Sequence, residues 1–229
     1  MSIELDPSWG VLAPWANQDR GRVPLPTAFF DRDPREVAPD LLGCLLSSRA
    51  GGVETGGVIV ETEAYLGRDD PGSHAATRGV TKRNAVMYGP PGTAYVYFTY
   101  GNHHMLNLVC CRNGTAGAVL VRALEPVYGL VAMRDRRHGR HGRDITNGPG
   151  KLAAALGVDL TDNGTVLADG RLIVYDGAVP PGEIAVSGRI GLSAGHELHM
   201  RYYVRASEFV SRGRTDPSAR DCRTDGQPA

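Results

Sequence analysis

Apolar and polar positions along the chain sort into short runs separated by turn residues. Residues 58–63 (Val-Ile-Val-Glu-Thr-Glu) are β-branched and mostly apolar, the signature of a strand. Residues 93–100 and 103–111 predict two more strands. Between them stands Gly101-Asn102, a pair that tolerates positive φ and predicts a two-residue hairpin turn. Another strand is expected at 118–124, with shorter ones at 172–175, 184–190 and 201–205. Helices are expected at 126–137 and 149–156, the second capped by Asn147. Asp33-Pro34-Arg35-Glu36 resembles a capping box with proline at the first helical position, and Leu41, Leu42 and Leu45 supply that helix's apolar face. Pro39 clashes in a helix interior, so this helix either starts nearer Ala38 or kinks there. The elements show no regular β-α alternation and no internal repeat, which favours a single mixed α+β domain over a doubly wound fold.

Residues 1–24 carry scattered Pro, Gly and polar residues and read as an arm, with Trp9 and Trp15 available to dock on the body. The folded domain is expected over 25–213, followed by a polar, disordered tail at 214–229. No basic region followed by an apolar one opens the chain, and no apolar run approaches the roughly 18 residues of a membrane span. A cytoplasmic protein without membrane contact is the expectation. Cys44, Cys110, Cys111 and Cys222 form no spaced CxxC pair and read as reduced thiols, the adjacent Cys110 and Cys111 facing opposite sides of a strand. No metal and no cofactor is expected.

The net charge of zero argues mildly against a nucleic-acid partner. The local distribution differs. Arg134, Arg136, Arg137, Arg140 and Arg143, with His138 and His141, face only Asp135 within one short segment. Such a run either neutralises phosphates or forms a solvated loop.

Two motif resemblances carry no chemistry. Gly89-Pro90-Pro91-Gly92-Thr93 looks like the start of a phosphate loop, but no Gly-Lys-Ser/Thr follows and the segment enters a strand. His196-Glu197-Leu198-His199 is one residue short of a zinc-protease helix motif, which needs its histidines four apart.

The informative block is Glu61-Thr62-Glu63-Ala64-Tyr65-Leu66-Gly67, then Asp69-Asp70 and Ser73-His74. On a strand Glu61, Glu63 and Tyr65 share a face. Paired carboxylates there form either an acid/base site or an exposed polar edge. Aromatic residues are 7% of the chain, yet three of its nine tyrosines fall within 95–100. Tyr95, Tyr97 and Thr99 alternate onto one face, Val96, Phe98 and Tyr100 onto the other. Tyr97 can wall a pocket, and Tyr100, beside the turn, can wedge between base pairs. Ordinary strand packing by tyrosine is the alternative.

These residues resemble the alkyladenine (3-methyladenine) DNA glycosylases over about residues 27–212. The shared motifs are Val60-Glu61-Thr62-Glu63-Ala64-Tyr65-Leu66-Gly67, Arg83-Asn84, Pro91-Gly92-Thr93-Ala94-Tyr95-Val96-Tyr97, Tyr100-Gly101, Asn107, Arg122-Ala123-Leu124-Glu125-Pro126, Gly148-Pro149-Gly150-Lys151-Leu152 and Tyr203-Val204-Arg205. Several collinear motifs are far more specific than any one of them. The resemblance implies a curved, largely antiparallel sheet with flanking helices and a protruding hairpin that enters the DNA minor groove. It implies that Glu63 is the general base for a water attacking C1′ of a flipped nucleotide, with Arg122 and the carbonyl of Val204 holding that water. Tyr65, His74 and Tyr97 would sandwich the base, and Asn107 would screen out the exocyclic amine of guanine. Tyr100, as the wedge, would contact DNA together with Arg83 and Lys151. The expected partner is damaged double-stranded DNA, bound by a monomer that acts as a monofunctional hydrolase. Asn102 stands where some relatives present a longer apolar side chain. The rival readings are a non-catalytic damaged-DNA sensor of the same fold and an enzyme cleaving free nucleosides.

Overall fold

The β-branched run around Val58 becomes part of the central strand, which is buried on both faces. The structure is a computed structural model and describes residues 22–76, 79–177, 182–195, 197–211 and 220–221. In chain order it contains α1 (Thr27–Phe30), α2 (Pro34–Asp40), β1 (Leu45–Ser48), β2 (Thr55–Tyr65), β3 (Ala94–Thr99), β4 (His103–Val109), β5 (Ala118–Tyr128), α3 (Leu130–Arg136), α4 (Pro149–Leu156), β6 (Leu172–Tyr175), β7 (Ile184–Ser187), β8 (Arg201–Val204) and β9 (Arg220–Asp221).

Every strand pairing is antiparallel, and the sheet runs β3-β4-β5-β2-β8-β7-β9 with β1 and β6 attached off this path. β5 follows one side of β2, while β1 pairs with its first residues and β8 with Glu61–Glu63. One strand thus serves two partners in succession, and the sheet curls into a half-barrel. The domain is α+β, as the sequence predicts. Its main core is packed from Val37 and Ala38 of α2, Leu152 and Leu156 of α4, and Ile59, Leu106, Leu108, Val119, Val121 and Leu124 of the sheet.

Two compensating irregularities in the β2–β5 ladder decide which side chains reach the site. Ile59 pairs with Leu124 and Glu61 with Ala123, leaving Val60 as an extra residue on β2; Thr62 then pairs with Val121, leaving Arg122 as an extra residue on β5. A bulge shifts the alternation by one and re-aims the residues beside it. Before the bulge Ile59 faces the main core, and after it Ala64 does. Thr62 turns the same way, its hydroxyl donating to the Ala38 carbonyl at 2.8 Å. Glu61, Glu63 and Arg122 are left together on the opposite face.

Several local expectations change. The helix expected at 126–137 is strand through Tyr128 and helix only from Leu130. Gly56 lets the Tyr128 ring lie across β2, and Gly57 admits the Glu125 carbonyl, so cross-strand contact overrides local propensity. The break is Gly129, with φ 74° and Glu54 and Thr55 too close for any side chain. α2 starts at Pro34, its cap Asp33 accepting from the Arg35 N–H at 2.8 Å, and carries Pro39 in its last turn. Leu45 lies in β1 and not on this helix. α4 begins after Gly148 with no side-chain cap. Asn147 instead accepts from the Lys151 ammonium at 2.8 Å.

The β3–β4 turn is displaced by one residue from the expected pair. Its central residues are Tyr100 (φ 53°) and Gly101 (φ 72°), closed by Asn102 N–H to the Thr99 carbonyl at 3.3 Å. Positive φ at both centres is the type I′ pattern of hairpins. Cys111 likewise leaves the strand, with φ 71°. Residues 1–21 of the expected arm at 1–24, and most of the tail, lie outside the described residues. Within the tail segment Arg220–Asp221 pair with β7.

Candidate active site

The face freed by the two bulges carries a polar network in place of apolar packing. Glu61, Glu63, Arg122 and Arg201 are all buried there. Arg122 donates through Nε to Glu61 Oε1 at 2.9 Å and through Nη1 to Glu63 Oε2 at 3.1 Å. Arg201 donates to Glu61 Oε1 at 2.7 Å, and Ser211 donates to Glu61 from both its N–H (2.6 Å) and its hydroxyl (2.7 Å). Glu63 accepts two further bonds, from the Tyr65 hydroxyl at 2.8 Å and the Ile190 N–H at 2.7 Å. Two carboxylates are therefore matched by two guanidiniums, the condition under which buried charge is tolerable. Burial pulls the Arg122 pKa down, but Glu63 and Glu61 outweigh it and hold the guanidinium above its ordinary value. Burial, then the charge of Glu63, pushes the Tyr65 phenol well above the usual tyrosine range, so it remains a donor.

In front of this network opens a cavity of about 350 Å³, lined among others by Tyr65, His74, Tyr97, Asn107, Arg122 and Ile190. Glu63 lies directly behind its wall, bonded to three of those lining residues. Tyr65 is braced from outside by Arg189, whose guanidinium carbon sits 4.7 Å from the ring centroid. Arg189 is fixed by the buried carboxylate of Asp70 at 2.6 Å to each oxygen and by the Ala64 carbonyl at 3.0 Å. Across the cavity Tyr97 packs at 4.7 Å from the His74 ring and carries the Arg83 guanidinium 4.8 Å over its face. Burial pushes the Tyr97 phenol up to about 12. Asn107 pairs directly with Tyr95 across the β3–β4 ladder and donates its amide to the Tyr95 carbonyl at 3.1 Å. Tyr100 also lines the cavity, because its left-handed backbone takes it out of the strand alternation that would have turned it away. It is 79% exposed.

Most of the residues singled out in the sequence therefore converge on one place. Two do not. Val204 stands near the Glu61 end of the network, and its carbonyl accepts from the Ser207 N–H at 3.1 Å. The backbone that reaches Glu63 belongs to Ile190, in a segment with no sequence signal of its own. Lys151 lies outside the cavity and binds Asp144 at 2.5 Å, although Pro149, two residues earlier, lines the cavity. Glu61 was visible as a second carboxylate on the Glu63 face. Arg201, Ser211 and Arg189 carried no legible pattern.

A model of the methylpurine-DNA glycosylase family matches residues 28–208, a span that holds every residue of this cavity. The chain belongs to this family. Among its relatives is a protein of Methanoculleus marisnigri named "Putative 3-methyladenine DNA glycosylase", 50% identical over 192 residues that cover 82% of this chain and 98% of the relative. Proteins of the same name from Carboxydothermus hydrogenoformans and Koribacter versatilis are 46% and 47% identical, each over 82% of this chain and 98% and 93% of their own.

In this family member His74 is exposed at the cavity rim with one edge against the tyrosines. Its Nδ1 lies 3.1 Å from the Tyr95 hydroxyl. Desolvation of the side packed against Tyr95 and Tyr97, and secondarily the positive charge of Arg83, lower the His74 pKa below its ordinary 6.5. The ring is therefore mostly neutral at pH 7. Below pH 6.5 the unfolded chain binds a proton that the folded ring refuses. Stability from this group is thus lost as pH falls from 6.5 toward the depressed value. An NMR titration of the His74 ring is expected to give a midpoint below 6.5; a midpoint at or above 6.5 would contradict the packing described.

Proposed function

We propose that the protein excises an alkylated or deaminated purine from duplex DNA by hydrolysing its N-glycosidic bond. The observation that carries this reading is the Glu63 carboxylate, held by Arg122, Tyr65 and Ile190 immediately behind an aromatic-walled cavity. A base inside the stack is out of reach, so its nucleotide must rotate out, at a cost of a few kcal/mol that is smaller for damaged pairs. Stacking between Tyr65, Tyr97 and His74 offsets part of that cost, at roughly 1–3 kcal/mol per base. A cationic alkylated purine gains about 0.5–2 kcal/mol more from the π faces, and a neutral His74 adds no repulsion.

In the hydrolysis, Glu63 takes a proton from a water as its oxygen bonds to C1′. The C1′–N bond breaks, the base leaves with the bonding pair, and an abasic site remains. Arg122 bridges Glu61 and Glu63 and fixes the carboxylate's direction. Asn107, at the back of the cavity, meets the base edge and would oppose a guanine exocyclic amine. Arg83, over the Tyr97 ring, and Lys151, in the first turn of α4, would contact the flanking strand.

Tyr100 supports duplex DNA as the substrate over free nucleosides. A large aromatic residue is held 79% exposed in a left-handed conformation, which costs an L-residue roughly 1–2 kcal/mol. A wedge that fills the gap left by the flipped nucleotide accounts for both costs. Tyr100→Ala is expected to slow release of 3-methyladenine or hypoxanthine from duplex oligonucleotides by at least tenfold, roughly the 1.4 kcal/mol of one lost stacking contact. Equal release by Tyr100→Ala and native protein, or cleavage of free nucleosides at the duplex rate, would contradict the reading.

A further inference from the structure

We infer that the cleft between α3 and the start of α4 is a second DNA-contact surface, which holds backbone phosphates beside the damaged nucleotide. This inference rests on the glycosylase reading for its partner and extends it to the arginine-rich segment that the catalytic site leaves unused. The cleft is open and lined by Arg137, His138, Arg140, His141, Asp144 and Lys151. His138, Arg140, His141 and the neighbouring Arg143 are exposed, whereas Arg136 turns inward and donates to the Ala50 and Ala155 carbonyls. The chain as a whole carries no net charge, so this concentration of cations is a local feature.

Three observations favour a phosphodiester strand as the occupant. The cleft already holds one anion of its own. Asp144 receives Lys151 at 2.5 Å and Arg140 at 3.7 Å, and its carbonyl accepts from Arg137 at 3.3 Å. Secondly, the backbone is shaped to present side chains outward. α3 ends in a pair of bonds, Gly139 N–H to the Arg134 carbonyl (2.9 Å) and His138 N–H to the Asp135 carbonyl (3.1 Å). His138, at φ 53°, thereby occupies the left-handed position that such a helix end normally gives to glycine. Thirdly, the first turn of α4 contributes to both the cavity and the cleft. Pro149 lines the cavity and Lys151 the cleft. Gly150 between them has no room for a side chain, because the His103 ring, beside the hairpin turn, lies against it. A strand whose nucleotide enters the cavity past Tyr100 therefore runs on past His103 and Gly150 into the cations.

The test is the salt dependence of binding to an undamaged duplex, measured with the full chain by fluorescence anisotropy. Each phosphate contact contributes about 0.9 to the slope of log K against log salt. Arg140→Ala with Arg143→Ala is expected to flatten the slope by roughly 2 on that scale. The control Arg32→Ala with Arg35→Ala removes the same charge beside and within α2, and is expected to keep the native slope. An unchanged slope in the cleft variant overturns the inference, as does equal flattening in the control. So does competition by polyglutamate as effective as that by unlabelled duplex, because it assigns the cleft to acidic protein. The readout needs no catalysis: failure of the native protein to release base would count against the glycosylase reading and not against the cleft.

Discussion

Glu63→Gln is expected to lower single-turnover base release by about 10²–10⁴-fold, the range that general base catalysis supplies, while the variant still binds damaged duplex. The loss follows from chemistry, since an amide takes no proton from water at neutral pH. The retained binding follows from the proposed walls: Tyr65, His74, Tyr97 and Asn107 would hold the base without help from a proton acceptor. The substitution has a structural side as well. Glu63 accepts from Ile190 at one oxygen and from Arg122 and Tyr65 at the other. A glutamine has one oxygen, so its NH₂ must face one of these donors. Melting measured alongside the kinetics separates the two effects. Release at more than one-tenth of the native rate by a folded Glu63→Gln protein would remove Glu63 from the base's role.

Arg122→Met is expected to be the most destabilising single change in the site, by about 3–5 kcal/mol, because it strands buried charge. Glu61 would then keep Arg201 and Ser211, whereas Glu63 would keep no cation and only the Tyr65 and Ile190 bonds. A charge-retaining variant separates this cause from lost packing. Arg122→Lys, which keeps a cation beside the carboxylates, is expected to lose less stability than Arg122→Met, as urea unfolding of the two variants at pH 7 reads. Equal deficits would mean that Arg122 acts by filling space and not by its charge.

The chemistry of the site was more legible in the sequence than its geometry. Tyr65, His74, Tyr97, Asn107 and Arg122 belong to motifs whose order along the chain can be read directly, and the fold gathers them around Glu63. The bulges at Val60 and Arg122 could not be read, because a one-residue phase change looks like plain alternation until the partner strand is known. Ile190 carries no mark in the sequence because its contribution is a backbone N–H, which no residue type specifies. The place of Val204, beside the Glu61 end of the network, was not legible for a related reason: adjacency in a motif does not fix ladder register. The helix expected from Pro126 failed where Gly56 and Gly57 open room for strand pairing, a tertiary effect invisible in the local pattern. Tyr100 shows the opposite case. Its place beside the turn was legible, but its left-handed backbone, which brings it round to the cavity, was not.

Hydrolysis and lyase chemistry separate when the native protein is incubated with duplex oligonucleotide containing 3-methyladenine in the presence of borohydride. Attack on C1′ by water and not by a side chain yields free base and an abasic strand with no protein–DNA adduct. A borohydride-trapped adduct, or no free base from the native protein, would contradict it.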